Sequence, residues 1–373
     1  MMRAFQHALV IGKFYPPHRG HEYLIRSAAR SATQVTVVVM AADLESIPLA
    51  LRVGWLREIL ASLGNVCVVG VIDNVAVDYH SEQIWQAHVD LMRSGVAEAE
   101  RCRGTPAGRI DAVFTSEAYG GELARRFDAT SVCLDQARTL YPVSGTAVRA
   151  DPPACWDHLA PCVREHLCRR IVIVGAESTG KSTLAVALAE ALRARGSIWT
   201  RTQYVPEFGR EYTVDKMAIA RAAADRMGAA PCSMDELEWT SPEFDLIAVE
   251  QQRREDAMAR DAGPLLICDT DAWATSIWHE RYVGRASMTL ARRPATRLGY
   301  ILTQWQEVPF EQDGLRDGES IRQWMHDRFA TQLSEQSVLW IVASGTIEQR
   351  VERCLQWIDE RLVTAWMFAK PLG

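Results

Sequence analysis

Short runs of apolar, β-branched-rich residues alternate along the chain with longer stretches whose apolar positions recur every three to four residues. In the first part, residues 7–12, 34–41, 65–72 and 110–115 carry the strand pattern, and residues 20–31, 49–63 and 81–101 carry the amphipathic helical one. This alternation predicts a parallel sheet with crossover helices, an open α/β layer whose ligand site lies beyond the carboxyl ends of the strands. Around residues 150–169 the pattern weakens, with Asp151, Pro152, Pro153 and Pro161 as breakers before a fresh strand at 170–174. The alternation then resumes with a long helix after Lys181, a strand near 198–205, helical stretches, and strands at 265–268, 299–303 and 338–343. The expectation is two α/β domains, each a mainly parallel sheet flanked by helices: residues 1–155 and 170–373, joined by a linker at 156–169.

At roughly 100 to 200 residues per domain, 373 residues accommodate both, and a 48% hydrophobic content supplies a core for each. The 41 basic and 47 acidic residues leave a net charge of −6 with no long basic run, which argues against a nucleic-acid partner. The nine cysteines (Cys67, Cys102, Cys133, Cys155, Cys162, Cys168, Cys232, Cys268 and Cys354) contain no CxxC pair and are odd in number. They are expected as buried thiols of a reducing compartment. Residues 1–12 lack the apolar stretch of a signal peptide, and no run approaches the roughly 18 apolar residues of a membrane helix, so a cytoplasmic protein without a membrane partner is expected.

Directly after the first predicted strand comes GKFYPPHRGH, from Gly12 to His21. Its two prolines stiffen the loop. His18 and His21 share a face at a helix start beside free backbone N–H groups, an anion cradle to which Lys13 adds a positive charge. Breaking the bond between the α and β phosphates of ATP needs donors on the charged oxygens and no protein nucleophile. The string resembles the HxGH signature of the nucleotidyltransferase superfamily, whose histidines contact ATP phosphates. That likeness implies an ATP site of Gly12, Lys13, Phe14, His18 and His21.

Farther on, YPVSGTAVR at 141–149 resembles the second signature of nicotinamide mononucleotide adenylyltransferases. Ser144, Gly145 and Thr146 form a hydroxyl turn capping a helix, another oxyanion pocket, and Arg149 is its phosphate-binding arginine. Arg52 and Trp85 fall where archaeal-type members keep an arginine at the phosphates and a tryptophan against nicotinamide. An indole face attracts a flat cationic pyridinium. The FTSE segment, from Phe114 to Glu117, looks like the loop that meets adenine and ribose.

A second phosphate signature, GAESTGKS from Gly175 to Ser182, satisfies the Walker A spacing in a strand, loop, helix context. The backbone of Gly175, Glu177, Ser178, Thr179 and Gly180 wraps the phosphates, Lys181 neutralises the outer ones, and Ser182, followed by Thr183, ligates Mg2+. In VPEFGREY, Glu207 follows the second strand of this domain, where nucleoside kinases place an acidic residue against the accepting hydroxyl, and is the candidate base. LLICDTD is an apolar strand ending in Asp269 and Asp271, either of which suits magnesium or a substrate ribose; Asp269 is assigned to the metal and Asp271 to the substrate. EQDGLRDG at 311–318 is expected as a hinged lid carrying Arg316 over the transferring phosphate. SGTIEQR at 344–350 sits where P-loop kinases wrap adenine, giving Gly345 and Thr346. Tyr212, Trp273, Trp278 and Tyr282 stand as equal candidates for stacking on the substrate.

The ordered set resembles the NadR family, which joins nicotinamide mononucleotide adenylyltransferase to ribosylnicotinamide kinase. The resemblance implies phosphorylation of ribosylnicotinamide by ATP with Mg2+ in the second domain, then adenylyl transfer from ATP to nicotinamide mononucleotide in the first, giving NAD and pyrophosphate. Catalytic roles fall on His18, His21, Lys13, Arg149, Lys181, Glu207, Asp269 and Arg316. Some members carry a helix-turn-helix ahead of the transferase. Here the first strand begins within about ten residues of Met1, so no DNA-binding module and no repressor role are expected. A nucleotide-sensing regulator with little turnover is the alternative reading, and assembly as a homo-oligomer stays open.

Overall fold

The computed structural model describes residues 3–104, 108–230, 233–287, 290, 297–306, 308–316, 318–336 and 338–372. The chain divides into two compact units, Met1–Val163 with Trp366–Gly373, and Arg164–Ala365. The sequence pattern assigns everything after residue 169 to the second domain. The packing instead returns the segment after Ala365 to the first unit, because Phe368 and Ala369 find partners on Tyr15 and Ser46.

The first unit holds β1 (Phe5–Gly12), β2 (Ala32–Ala41), β3 (Val66–Ile72), β4 (Ala112–Thr115) and β5 (Thr130–Cys133), in the order β3-β2-β1-β4-β5. All paired strands are parallel. Ala8, Leu9 and Val10 of the central strand are fully buried, as a parallel strand covered on both faces requires. Helices Arg19–Ser31 and Leu49–Ile59 pack Leu24, Ile25, Val53 and Leu56 onto one face. Helices Glu82–Arg103 and Gly120–Arg126 pack Val89, Met92 and Leu123 onto the other. The edge strand β5 is absent from the hydrophobic pattern for a plain reason: three of its four residues, Thr130, Ser131 and Cys133, face solvent.

The second unit holds β6 (Arg169–Val174), β7 (Gln203–Val205), β8 (Leu265–Asp269), β9 (Arg297–Thr303) and β10 (Trp340–Ala343), in the order β10-β9-β6-β8-β7, again all parallel. Helices Lys181–Arg193 and Ile347–Leu362 bury Leu184, Leu188, Leu192, Trp357 and Ile358 against this sheet. The strand expected at 198–205 shrinks to Gln203–Val205, because Ser197–Arg201 winds into a short 3-10 turn. In each sheet the first strand lies in the middle, where the direction of the crossovers reverses. The loops after β1 and β6 therefore open into the crevice where α/β sheets bind ligands.

The described cysteines are free thiols; Cys232 lies outside the described residues. Among the described residues, no helix is long and apolar enough to cross a membrane.

One close approach limits the second core. A Cβ added at Gly299 would lie 2.3 Å from the Trp357 ring and 2.9 Å from the Leu339 carbonyl oxygen. Gly299→Ala should lower the stability of the second unit by about 1–3 kcal/mol, as overpacking does, and leave the unfolding of the first unchanged; two-probe denaturant titration reads both.

Candidate functional site

Two phosphate loops dominate the chemistry, one in each unit. In the first, helix Arg19–Ser31 begins just after His18, whose backbone is extended. The His18 N–H donates to Nδ1 of His21 at 3.3 Å, and the two rings stack with centroids 3.7 Å apart. Burial depresses both imidazoles: His18 falls to about 3, with Arg138 and His158 adding to the effect, and His21 falls well below its ordinary value, with His18 and Arg138 adding. Both rings are thus neutral at physiological pH, which is what lets them stack without repulsion. Because Nδ1 of His21 accepts, its proton sits on Nε2, free to donate. The pair supplies oriented hydrogen-bond donors and no net charge.

Positive charge comes from the rim. Lys13 Nζ lies 3.4 Å from Glu45 and donates to the Leu372 carbonyl. Arg149 donates to the Tyr15 carbonyl at 2.7 Å and to Thr146 Oγ1 at 3.2 Å, while Ser144 caps the short helix Gly145–Ala150 by accepting from the Ala147 N–H. Gly145 is needed for proximity, since a Cβ there would sit 3.3 Å from the Tyr15 carbonyl oxygen. Phe14 is buried, with positive φ, and packs edge-on against His21. Gly12 backs that ring.

Arg52 requires a correction. Expected at the phosphates, it is wholly buried beneath the loop: Nε and Nη2 donate to the Ile47 carbonyl, Nη1 donates to the Lys13 carbonyl at 3.1 Å, and Nη1 pairs with Glu45 at 2.6 Å. With its guanidinium spent inside, it shapes the loop that carries Lys13. Trp85 is also largely buried, its indole N–H on the Tyr79 carbonyl and the Arg126 guanidinium 4.8 Å from its ring centre. In the FTSE segment, Thr115 accepts from the Glu117 N–H, and Glu117 pairs with Arg138.

In the second unit, Gly175 (φ 148°) and Gly180 (φ 81°) hold conformations that favour glycine, and a Cβ on Gly175 would lie 2.2 Å from Thr303 Oγ1. Thr179 bonds that same hydroxyl at 2.6 Å. Two buried arginines grip the loop from behind. Arg322 donates to the carbonyls of Ser178, Trp305 and Val308, and Arg350 to those of Thr179, Gly345 and Gln304. Thr346 caps the helix that follows Gly345 by accepting from the Gln349 N–H.

At the mouth of this loop, Lys181 donates to the Ala176 carbonyl, and Ser182 donates to Asp269 Oδ2, which also accepts from the Tyr204 hydroxyl. Asp269 Oδ1 is buried without a partner. Burial raises the Asp269 carboxyl against the pull of Lys181, and burial pushes Glu207 up to about 7, again opposed by Lys181. A hydroxyl and a carboxylate with one idle oxygen form an oxygen donor set suited to a hard divalent cation, and the neighbouring lysine suits the phosphate that such a cation accompanies. No cluster of three or more metal-ligating His, Cys, Asp or Glu side chains exists among the described residues.

A cleft of about 350 Å³ gathers Glu177, Ser178, Thr179, Gly180, Lys181, Ser182, Thr183, Glu207 and Arg316. Its far wall is aromatic: Trp239, Phe244, Trp278 and Tyr282. Of the four aromatics the sequence left open, Trp278 and Tyr282 line this cleft, whereas Trp273 is sealed in the core against Tyr300 and Phe329. Tyr212 donates to Glu243 behind the wall. Asp271 is the second correction. It is fully buried, pairing with Arg297 at 2.9 Å and accepting from Tyr300 and the Ala274 N–H, so both its oxygens serve the fold and neither faces the cleft. In the segment expected as a lid, Arg316 donates to the Glu311 carbonyl and pairs with Asp313, which also binds Arg210 of the helix after Glu207. Asp317 lies outside the described residues.

Sequence reasoning missed Glu45, Tyr15, Asp135, Trp239, Arg322 and the tail. Asp135 fixes the second signature by accepting from the N–H groups of Thr139, Leu140 and Tyr141. Its place six residues ahead of YPVSGT was the available signal. Glu45 and Arg322 carried none, because their partners are backbone carbonyls or distant side chains.

A family model described as an AAA domain matches residues 170–350. The trifunctional NAD biosynthesis/regulator protein NadR of Escherichia coli (strain K12) is 24% identical over 374 residues, covering 95% of this chain and 83% of its own length. Its namesake in Salmonella typhimurium (strain LT2) is 24% identical over 372 residues with the same coverage. Among solved structures, a NadR protein in complex with NR aligns with a TM-score of 0.70 at 18% identity, over 97% of this chain and 98% of that one. A NadR protein in complex with NAD and AMP-PNP gives 0.65 at 18% identity with the same coverage. These structures share the fold of both units.

The two aspartates should part under mutation. Asp271→Ala strips Arg297 of a buried partner and is expected to destabilise the second unit by about 3 kcal/mol or more. Asp269→Asn, which removes a charge that burial already disfavours, should stay within about 1 kcal/mol of the parent; chemical denaturation compares them.

Proposed function

We propose that the chain is a member of the NadR family, which its likeness to the two NadR relatives over 95% of its length supports, and that its two units perform consecutive steps of NAD synthesis. The second unit phosphorylates the 5′-hydroxyl of ribosylnicotinamide with ATP. The first transfers the adenylyl group of a second ATP to the resulting nicotinamide mononucleotide. The observation that carries this reading is the second cleft, where a P-loop and a carboxylate raised to about 7 face an aromatic wall built for a flat ring.

In the kinase step the riboside ring lies against Trp239, Phe244, Trp278 and Tyr282, which attract a pyridinium by dispersion and cation–π contact. Glu207 accepts the 5′-hydroxyl proton as that oxygen attacks the γ phosphorus and ADP leaves. A carboxyl near 7 is half-ionised where the enzyme works, a basicity matched to taking a proton from an alcohol in the transition state. Lys181 and Arg316 offset the charge gathering on the transferring group. Ser182 and Asp269 would hold Mg2+, which when bound neutralises the β and γ phosphates.

In the transfer step a phosphate oxygen of the mononucleotide attacks the α phosphorus of ATP, the bond between the α and β phosphates breaks, and pyrophosphate departs. Nε2–H of His21 and the backbone N–H groups of the helix start donate to the phosphate oxygens, with Lys13 and Arg149 supplying charge. Neutral histidines bind as donors here and take no part in proton transfer. Lys13 must exchange its present carbonyl and carboxylate partners for phosphate.

Purified protein given ribosylnicotinamide, ATP and Mg2+ should form the mononucleotide and then NAD; binding without turnover would sink the reading in favour of a nucleotide sensor. Lys181→Ala should abolish riboside phosphorylation and spare adenylyl transfer, and His21→Ala should do the reverse, each product being resolved by chromatography. Kinase rate should climb as pH rises through about 7, where Glu207 loses its proton, and level off above. Glu207→Gln should lower the rate by roughly 10²–10⁴-fold and flatten that limb.

A further inference from the structure

The segment that follows the kinase unit in the chain belongs to the packing of the first unit, and it meets Lys13 and Tyr15 of the phosphate loop and Ser46 beside it. Tyr15 donates its hydroxyl to the Ala369 carbonyl at 3.1 Å and receives the Ser46 N–H on the same oxygen at 2.9 Å. The Ala369 N–H donates to Ser46 Oγ at 2.6 Å, so both backbone groups of Ala369 are engaged. Phe368 stands edge-on to the Tyr15 ring, centroids 6.0 Å apart at 88°. Beyond them, the Leu372 carbonyl accepts from the Lys13 ammonium. Phe368, Ala369 and Leu372 are half-buried, while Met367 before them and Lys370 among them face solvent. That pattern belongs to a segment seated on a surface.

Tyr15 is the part that matters. Its ring lies between the guanidinium groups of Arg52, at 4.3 Å, and Arg149, at 5.0 Å, and its carbonyl holds Arg149. Whatever fixes Tyr15 fixes Arg149, and Ser46 adjoins Glu45, the carboxylate shared by Lys13 and Arg52. We infer that Phe368 and Ala369 are positioning residues of the adenylyl transfer site, setting through Tyr15 and Ser46 the two cations, Lys13 and Arg149, that receive the triphosphate of ATP. This rests on the transferase reading of the first unit. The segment acts on Lys13 and Arg149, the cations assigned to ATP in that reading, so its loss is expected to weaken ATP and leave the mononucleotide alone.

The experiment compares the full chain with one ending after Trp366, and with Phe368→Ala and Phe368→Tyr. In adenylyl transfer the shortened chain should raise the KM for ATP by about 5–20-fold, because the two hydrogen bonds of Ala369 and the Phe368 ring contact that hold Tyr15 and Ser46 are lost. The KM for the mononucleotide should stay level, as should riboside phosphorylation by the same preparation. Phe368→Ala should give a smaller rise in the same parameter, and Phe368→Tyr, which keeps the ring, should stay within about twofold of the parent. An unchanged KM for ATP, or an equal rise for both substrates, overturns the inference. ATP titration in a Lys181→Ala background reads the same effect without turnover. If the full chain makes no NAD, the transferase reading fails; if it does and the shortened chain binds ATP equally well, only the role of Phe368 and Ala369 falls.

Discussion

Phosphate loops are built from backbone N–H groups that must point into solvent before a nucleotide arrives, an arrangement the chain would not adopt unaided. Here the restraint comes from arginines that grasp the carbonyls on the reverse side of the same peptides. Arg52 holds Ile47 and Lys13, Arg149 holds Tyr15, Arg322 holds Ser178, and Arg350 holds Thr179. A planar guanidinium with five donors suits this work, because it can satisfy two or three carbonyls at fixed angles where an ammonium would wander. The two folds differ in sheet order, yet both pre-form their loops in this way and at the same place, the loop after the central strand.

Electrostatics then separate the units. The first surrounds its anion site with neutral imidazoles and keeps its full charges at the rim, where water screens them until substrate enters. The second gathers Glu207, Asp269 and Lys181 in a partly dry cleft, so that both carboxylates are held above their ordinary values by burial and restrained mainly by one lysine. Such a cleft is poised to accept a cation and give up protons. Asp313 of the 311–316 segment pairs with Arg210, which follows closely behind Glu207, so that segment and Glu207 meet at one helix start.

Much of this was legible in the sequence, for identifiable reasons. GKFYPPHRGH and GAESTGKS are local: each follows an apolar strand, and glycine, proline and histidine chemistry acts within ten residues. Interiors were legible too, since Ala8–Ile11 of β1 and Ile171–Val174 of β6 are unbroken apolar runs. What escaped was set by distant partners. Arg52 and Asp271 have the residue types of a binding site, yet Glu45 claims one and Arg297 the other, and no pattern in the sequence announces either pairing. Trp239 lies in an irregular stretch without periodicity, so nothing marked it as part of the aromatic wall. The edge strand β5 is too polar to read as a strand.

Order of synthesis gives the tail a further meaning. Ribosomes release β1 and its loop first, but Phe368 and Ala369 emerge only after the last helix of the second unit, more than three hundred residues later. The first unit can assemble its sheet early, as domains do during translation, yet its loop waits for the far end of the message to receive its final neighbours. A cut at Val163 removes those neighbours along with the second unit, and the boundary of the first unit is a discontinuous one. The first unit is closed by a few residues encoded behind the whole of the second.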